Sequence, residues 1–292
     1  MVSSNMNTLF EPFAYEFFVR GLIAAGLVGG LCGLIGVYIV LRRMAYIGHG
    51  LSHAVFGGAV VSYVMAFNFY LGASLWGFLS AVLISLTTRK RVIGADAAIG
   101  IITTASFALG VALISRYRTF TRDFEAALFG NILGVSPGDL WAITAVAVFA
   151  AAVLIIGYKQ FLFATFDPDV ARFYGVATPW VDTVFSLVLA GTIVVSMQVL
   201  GVTLIAAAIV IPPIVARLLT DSFRTMILLS TGTGAFCGVS GIYLSYFADV
   251  SSGASVVLFS AFIFVLALTY SAVRGRLGRG RAALPGHPAP FN

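Results

Sequence analysis

Residues 180–219 read WVDTVFSLVLAGTIVVSMQVLGVTLIAAAIVIPPIVARLL, an apolar stretch broken by little more than Gln198 and the pair Pro212-Pro213. About 20 apolar residues suffice to cross the hydrocarbon core of a bilayer. The stretch is too long for one crossing and reads as two, divided near residues 198–201. Working outward, further apolar runs lie at 17–40, 51–67, 70–88, 97–115, 140–158, 225–247 and 256–273. The composition agrees: 60% of the chain is hydrophobic and 10% charged, where soluble domains average about 45–50% and 25%. A water-soluble globule, a disordered chain and a collagen-like chain are excluded. The expected fold is all-α: a polytopic transmembrane helical bundle of eight to nine spans.

Basic clusters set the topology. Arg42-Arg43, Arg89-Lys90-Arg91 and the tail residues Arg274, Arg276, Arg279 and Arg281 belong in the cytoplasm by the positive-inside rule. Nine simple spans satisfy all three and leave the N-terminus outside. Eight would put both ends inside, with the first run or residues 129–135 re-entrant or broken. The net charge of +6 arises from these clusters at span ends, so it implies a lipid bilayer and no nucleic acid. Residues 1–15, with Phe10, Glu11 and Phe13, read as an interfacial segment with no removable signal. Residues 16–273 form the membrane domain, and 274–292 a basic tail expected to be disordered.

Polar connections occupy 116–138, with Arg118, Arg122, Asp123, Glu125 and a Pro137-Gly138 turn, and 159–179. Cys32 and Cys237 sit inside apolar runs and read as small buried hydrophobes. The small-residue motifs Gly26-x3-Gly30, Gly29-x3-Gly33 and Gly234-x3-Gly238 are expected to pack helices within one subunit rather than to dimerise it.

His49 and His53 lie one helical turn apart, so both imidazoles face one side. Such a pair can hold one transition metal; the alternative is two interfacial histidines bonded locally. Ser52 is either a donor supporting a ligand or a hydroxyl bonded to its own helix. Gln198 either lines a pathway or glues helices together. Asp96 is expected to cap the fourth span rather than to couple it to a partner, and Pro212-Pro213 to break or bend its helix.

In Phe166-Asp-Pro-Asp-Val-Ala-Arg-Phe-Tyr-Gly175, Asp167 suits an N-cap and Pro168 the first helical position. Asp169 favours the positive end of the dipole, and Gly175 a left-handed C-cap. Val170, Phe173 and Tyr174 give this short helix an apolar face. It fits either docking to a soluble partner or rest on the bilayer surface.

Leu41-Arg-Arg-Met-Ala-Tyr-Ile-Gly-His-Gly-Leu-Ser-His-Ala resembles the L-R-R-M-A-x-x-G-D-x-L-S-H-A segment of bacterial metal-type ABC transporter permeases. Asp96-Ala-Ala-Ile-Gly, Leu128-Phe-Gly-Asn-Ile-Leu-Gly-Val-Ser, Phe166-Asp-Pro-Asp-Val-Ala, Ser196-Met-Gln-Val-Leu-Gly and Ile211-Pro-Pro-Ile-Val-Ala-Arg-Leu-Leu resemble further segments of that family, in its order. The resemblance covers residues 17–273. It implies a multi-pass subunit of the bacterial cytoplasmic membrane, importing Mn²⁺, Zn²⁺ or Fe²⁺ as cargo with no resident cofactor. It further implies a second permease copy, cytoplasmic ATP-binding subunits and an extracytoplasmic metal-binding protein. Phe166, Asp167, Pro168, Asp169, Ala171 and Gly175 would seat in the ATPase, and His53 would match the pathway histidine. His49 stands where the family usually has Asp, which bears on the choice of metal.

The chain holds no G-x4-G-K-[ST], so it is expected to be no enzyme, with ATP hydrolysis left to the partner. Two other readings compete: a permease for a metal chelate of siderophore or cobalamin type, and a proton-coupled secondary transporter. The second would want intramembrane carboxylates, and the spans hold almost none.

Overall fold

The computed structural model describes residues 10–89, 94–117 and 128–282. Lys90, Arg91 and the charged residues Arg118, Arg122, Asp123 and Glu125 lie outside them. Among the described residues every regular element is helical. The long helices are α1 (Glu16–Leu41), α2 (Ala45–Val64), α3 (Phe69–Arg89), α4 (Ala95–Tyr117) and α5 (Pro137–Ile156). Two short ones follow, α6 (Tyr158–Phe166) and α7 (Pro168–Phe173). Then come α8 (Thr178–Leu200), α9 (Val202–Leu219), α10 (Phe223–Ala248) and α11 (Ser252–Ala282). Single 3-10 turns cover Glu11–Ala14 and Ile132–Gly134.

Eight of the long helices, all but α2, are long and apolar enough to cross a membrane. His49, His53 and four glycines dilute the apolarity of α2, yet protein shields it. Gly57 packs against the Ser106 backbone of α4, and Gly58 against Trp76 and Gly72 of α3. Met44 and Ile47, at its start, line one cavity with Arg42, Thr165 and Pro168. Ser62, near its end, donates to the Asn68 carbonyl (2.9 Å) beside Tyr70, at the opposite end of the bundle. At that same end, Phe17 and Phe18 of α1 line a cavity with Asn131 and Asp249. Among the described residues nine helices therefore run between the two ends of the bundle. The end with Arg42, Arg43, Lys159 and Arg172 is cytoplasmic by the positive-inside rule, and the turn at Glu11–Ala14 lies at the opposite end.

Residues 129–135 are not re-entrant. They close the outer end: Asn131 N donates to the Gln198 carbonyl (2.8 Å), and Ser251 and Thr203 donate to the carbonyls of Phe129 (3.0 Å) and Leu128 (2.7 Å). The break between α8 and α9 falls at Gly201, whose φ of 76° is open to glycine at little cost. A Cβ there would also strike the backbone of Leu128 and Phe129.

Three expectations change. Pro137-Gly138 is the first turn of α5 rather than a loop turn: Ser136 caps it, with Pro137 at the first position and Asp139 completing a reciprocal capping box. Pro212-Pro213 lie inside an unbroken α9. Proline removes a backbone donor, here one that the Ile209 carbonyl would have used. Gly36 of α1 packs directly against that carbonyl and the Pro213 ring. Asp96 sits in the first turn of a helix that begins at Ala95, where its charge still favours the dipole. At the far end, α11 runs on to Ala282, and its part apolar enough to cross a membrane ends at Arg274. The rest of the tail lies outside the described residues.

The small-residue motifs meet each other within the chain. Gly29 of α1 abuts the Gly234 carbonyl of α10, Gly33 the Ser230 carbonyl, and Gly238 the Ala25 carbonyl. Ser230 Oγ donates to the Gly33 carbonyl at 2.6 Å. Backbone contact of this kind is what stabilises helix pairs in lipid, where no hydrophobic drive separates them from solvent.

Candidate metal site and coupling segment

Both histidines stand on one face of α2, and His53 faces α4. Their Nε2 atoms stand 3.2 Å apart, with the rings nearly perpendicular at 87°. Two nitrogens each about 2.1 Å from a single ion stand roughly 3.2–3.4 Å apart at near-tetrahedral angles. The spacing thus already suits one shared cation. At that distance one ring can equally donate to the other. The Phe107 ring of α4 lies 4.7 Å from the His53 ring, and Tyr46 lies 6.0 Å from His49. Ser52 is fully buried, and its hydroxyl donates to the His49 carbonyl (2.7 Å). That is the local helix bond rather than a donor behind a ligand. Among the described residues no cluster of three or more His, Cys, Asp or Glu could hold a metal.

Gln198 is placed elsewhere, near the outer end. With its amide nitrogen facing the carboxylate, it donates to both Asp139 oxygens (3.2 Å each) and to Tyr70 Oη (2.8 Å). Tyr70 donates to Asp139 at 3.1 Å. Gln198 therefore joins α3, α5 and α8, the gluing role rather than contact with the histidines. Asp139 escaped the sequence reading. Its signal was the S-x-x-D spacing from Ser136, which marks a capping box.

The cytoplasmic end holds the loop residues together. Asp167 caps α7, accepting from Asp169 N (3.2 Å) and Val170 N (2.9 Å), and Pro168 takes the first position. Gly175 has φ 80°, the left-handed cap the sequence suggests. The helix is six residues long, shorter than the stretch from Asp167 to Gly175. Ala171 is its buried anchor, while Phe173 (86%), Tyr174 (75%) and Phe166 (61%) are exposed. Arg172 donates to Thr178 (2.9 Å), tying α7 to the start of α8.

Arg42 reads in the sequence as a topological charge, but its side chain is only 7% exposed. It pairs with Asp182 of α8 at 2.8 Å and donates to Thr165 of α6 at 3.0 Å. Its guanidinium carbon lies 4.8 Å from the Phe185 ring centre. Burial pushes the guanidinium pKa down, and the Asp182 carboxylate opposes that shift. These groups wall a cavity of about 610 Å³ between α7 and the bundle.

A sequence profile described as the ABC 3 transport family matches residues 14–271. The manganese transport system membrane protein MntC of Halalkalibacterium halodurans is 37% identical over 277 residues, 94% of this chain and 95% of that protein. A probable iron transport system membrane protein of Haemophilus influenzae is 30% identical, covering 96% of this chain and 99% of its own length. Among solved structures, PsaBC from Streptococcus pneumoniae in complex with Fab superposes with a TM-score of 0.79 at 32% identity, covering 91% of this chain and 95% of that one.

Proposed function

The chain belongs to the ABC 3 transport family, and on that footing we propose that His49 and His53 bind a free divalent transition metal ion in transit through it. It is a multi-pass permease of the bacterial inner membrane and works with ATP-hydrolysing and substrate-binding partners. Two copies pairing around a shared pathway would complete the ligand set that one chain leaves short. Mn²⁺, Fe²⁺ and Zn²⁺ are the candidate ions, each passing as cargo rather than residing as a cofactor. Hydrolysis falls to the partner, and this chain performs none.

The observation that carries the reading is the 3.2 Å separation of the two Nε2 atoms, a spacing that neighbouring ligands of one ion adopt. The connections suggest how ATP reaches them. The partner grips the exposed aromatics of α7. Arg172 passes motion from α7 to α8 through Thr178, and Arg42 links α6 and α8 to the end of α1. Only Arg42, Arg43 and Met44 separate α1 from α2, which carries the histidines. Tilting α1 and α8 at that end re-aims the pair, and alternating access of this kind needs only rigid helices rocking about the site.

The test is ATP-dependent uptake into membrane vesicles holding the chain with its ATPase, offered Mn²⁺, Zn²⁺ and Fe²⁺ separately. Uptake of one or more ions that His53→Ala abolishes is the expected result. No movement of any free ion while the ATPase still binds would overturn it and point to a chelate as cargo.

A further inference from the structure

His53 has a second ring nitrogen, and its surroundings differ from those of most protein metal ligands. Nδ1 is buried, and among the described residues no acceptor lies within hydrogen-bond distance. When Nε2 binds a metal, the imidazole proton must reside on Nδ1. A ligating histidine usually donates that N–H to a carboxylate or carbonyl, which orients the ring and raises its basicity. Here the ring is oriented by packing instead. Phe107 meets it at 4.7 Å with an interplanar angle of 63°. Phe56, 2% exposed, backs Phe107 at 5.6 Å. The helices that carry these rings are clamped one turn on, where Gly57 of α2 packs against the Ser106 carbonyl and Gly110 against the Gly57 backbone. Phe107 offers the imidazole no nitrogen or oxygen acceptor.

Resting on the metal-site reading above, we propose that Phe107 is a positioning residue that weakens the transit site: it fixes the His53 ring while denying Nδ1–H an acceptor. Every metal-bound state carries a buried N–H without a partner, so the ion is held loosely and leaves readily. A transporter needs that. A storage or structural site would do the opposite and add a carbonyl or carboxylate at this point.

The experiment is Co²⁺ binding to the full chain purified in detergent, read by the visible absorption of the bound ion, together with Mn²⁺ uptake in vesicles. Phe107→Gln replaces the ring with a chain that ends in an acceptor; Phe107→Leu replaces it with apolar bulk only. The Gln variant is expected to bind Co²⁺ ten- to a hundredfold more tightly, roughly the range that such supporting bonds govern. Its uptake should show a lower KM and a lower maximal rate together. The Leu variant should bind no more tightly than the wild type. A merely structural role predicts loss of affinity in both. Equal affinity of the Gln variant and the wild type overturns the proposal, and Phe107→Asn repeats the test if the Gln variant does not fold. His53→Ala separates the two readings: if it retains Co²⁺ binding, the metal site itself is misassigned, whereas if it loses binding and the Gln variant is unchanged, only the role of Phe107 falls.

Discussion

Arg42 and Asp182 form an ion pair of 2.8 Å in which the cation is 7% exposed and the carboxylate 54%. The two ends of the bond therefore stand in different solvents. Removing the carboxylate strands a guanidinium inside protein; removing the guanidinium leaves a carboxylate that water can reach. Asp182→Ala is expected to destabilise by about 2 kcal/mol, below the roughly 3–5 kcal/mol of a fully buried broken pair because solvent screens the exposed side. Arg42→Met, which keeps the stem against Phe185, should cost about 1 kcal/mol. The double variant should be more stable than Asp182→Ala alone. Thermal unfolding of the three proteins in detergent checks the order, and equal losses from the two single variants would contradict it.

The seam between α1 and α10 makes a second prediction. At Gly234 a methyl group would meet the Gly29 carbonyl, whereas at Gly232 nothing lies within 4 Å. Gly234→Ala and Gly29→Ala should each cost about 1–3 kcal/mol by forcing the backbones apart. Gly232→Ala, on the same helix, should be neutral or add up to about 1 kcal/mol through helix propensity. Melting midpoints that fell equally for all three would show that the seam is not set by backbone contact.

Phe173, the last residue of α7, and Tyr174, its C-cap, are exposed, and the only buried side chain of the helix is Ala171. Replacing either aromatic by Ala should leave the melting midpoint of the isolated permease unchanged. Binding to the ATP-hydrolysing partner should weaken about tenfold or more, as for central aromatic anchors of interfaces. Gly175→Ala should act at the same place differently: its φ of 80° strains any side chain by about 1 kcal/mol although space around it is open. Pull-down of the partner and thermal melts, run side by side, separate the two effects.

What the sequence displays and what it hides follow from the range of the forces involved. Span positions were legible because apolar run length and a bilayer's thickness are matched locally; residues 198–201 do divide α8 from α9. The cap at Asp167, the proline after it and Gly175 were legible for the same reason, since each acts within one turn. The count of crossings was not, because α2 is kept from lipid by α3 and α4, a tertiary fact that lets it carry two histidines and still span. In the sequence Arg42 reads only as a topological charge, since its partners, Thr165 and Asp182, lie more than a hundred residues away. The gluing role of Gln198 depended on Tyr70 and Asp139 in the same way. At the site, periodicity put His49 and His53 on one face, but Phe107 belongs to another helix and no spacing announces it.

His49 places an imidazole nitrogen 3.2 Å from that of His53. His49→Asp would replace it with a charged oxygen on the same helical turn. Carboxylate oxygens suit Mn²⁺, while imidazole suits Zn²⁺, Fe²⁺ and Cu²⁺, and the added negative charge attracts any cation into a low-dielectric site. Donor type and charge therefore push Mn²⁺ the same way and Zn²⁺ in opposite ways. Uptake by His49→Asp should show the ratio of Mn²⁺ to Zn²⁺ specificity rising on the order of tenfold, the size of a difference of about 1.4 kcal/mol. His49→Asn supplies oxygen without charge and should move the ratio in the same direction while lowering uptake of both ions. If His49→Asp accelerates both ions equally, charge alone governs entry and His49 does not select. If neither variant shifts the ratio, the ion's choice is made by ligands from outside this helix.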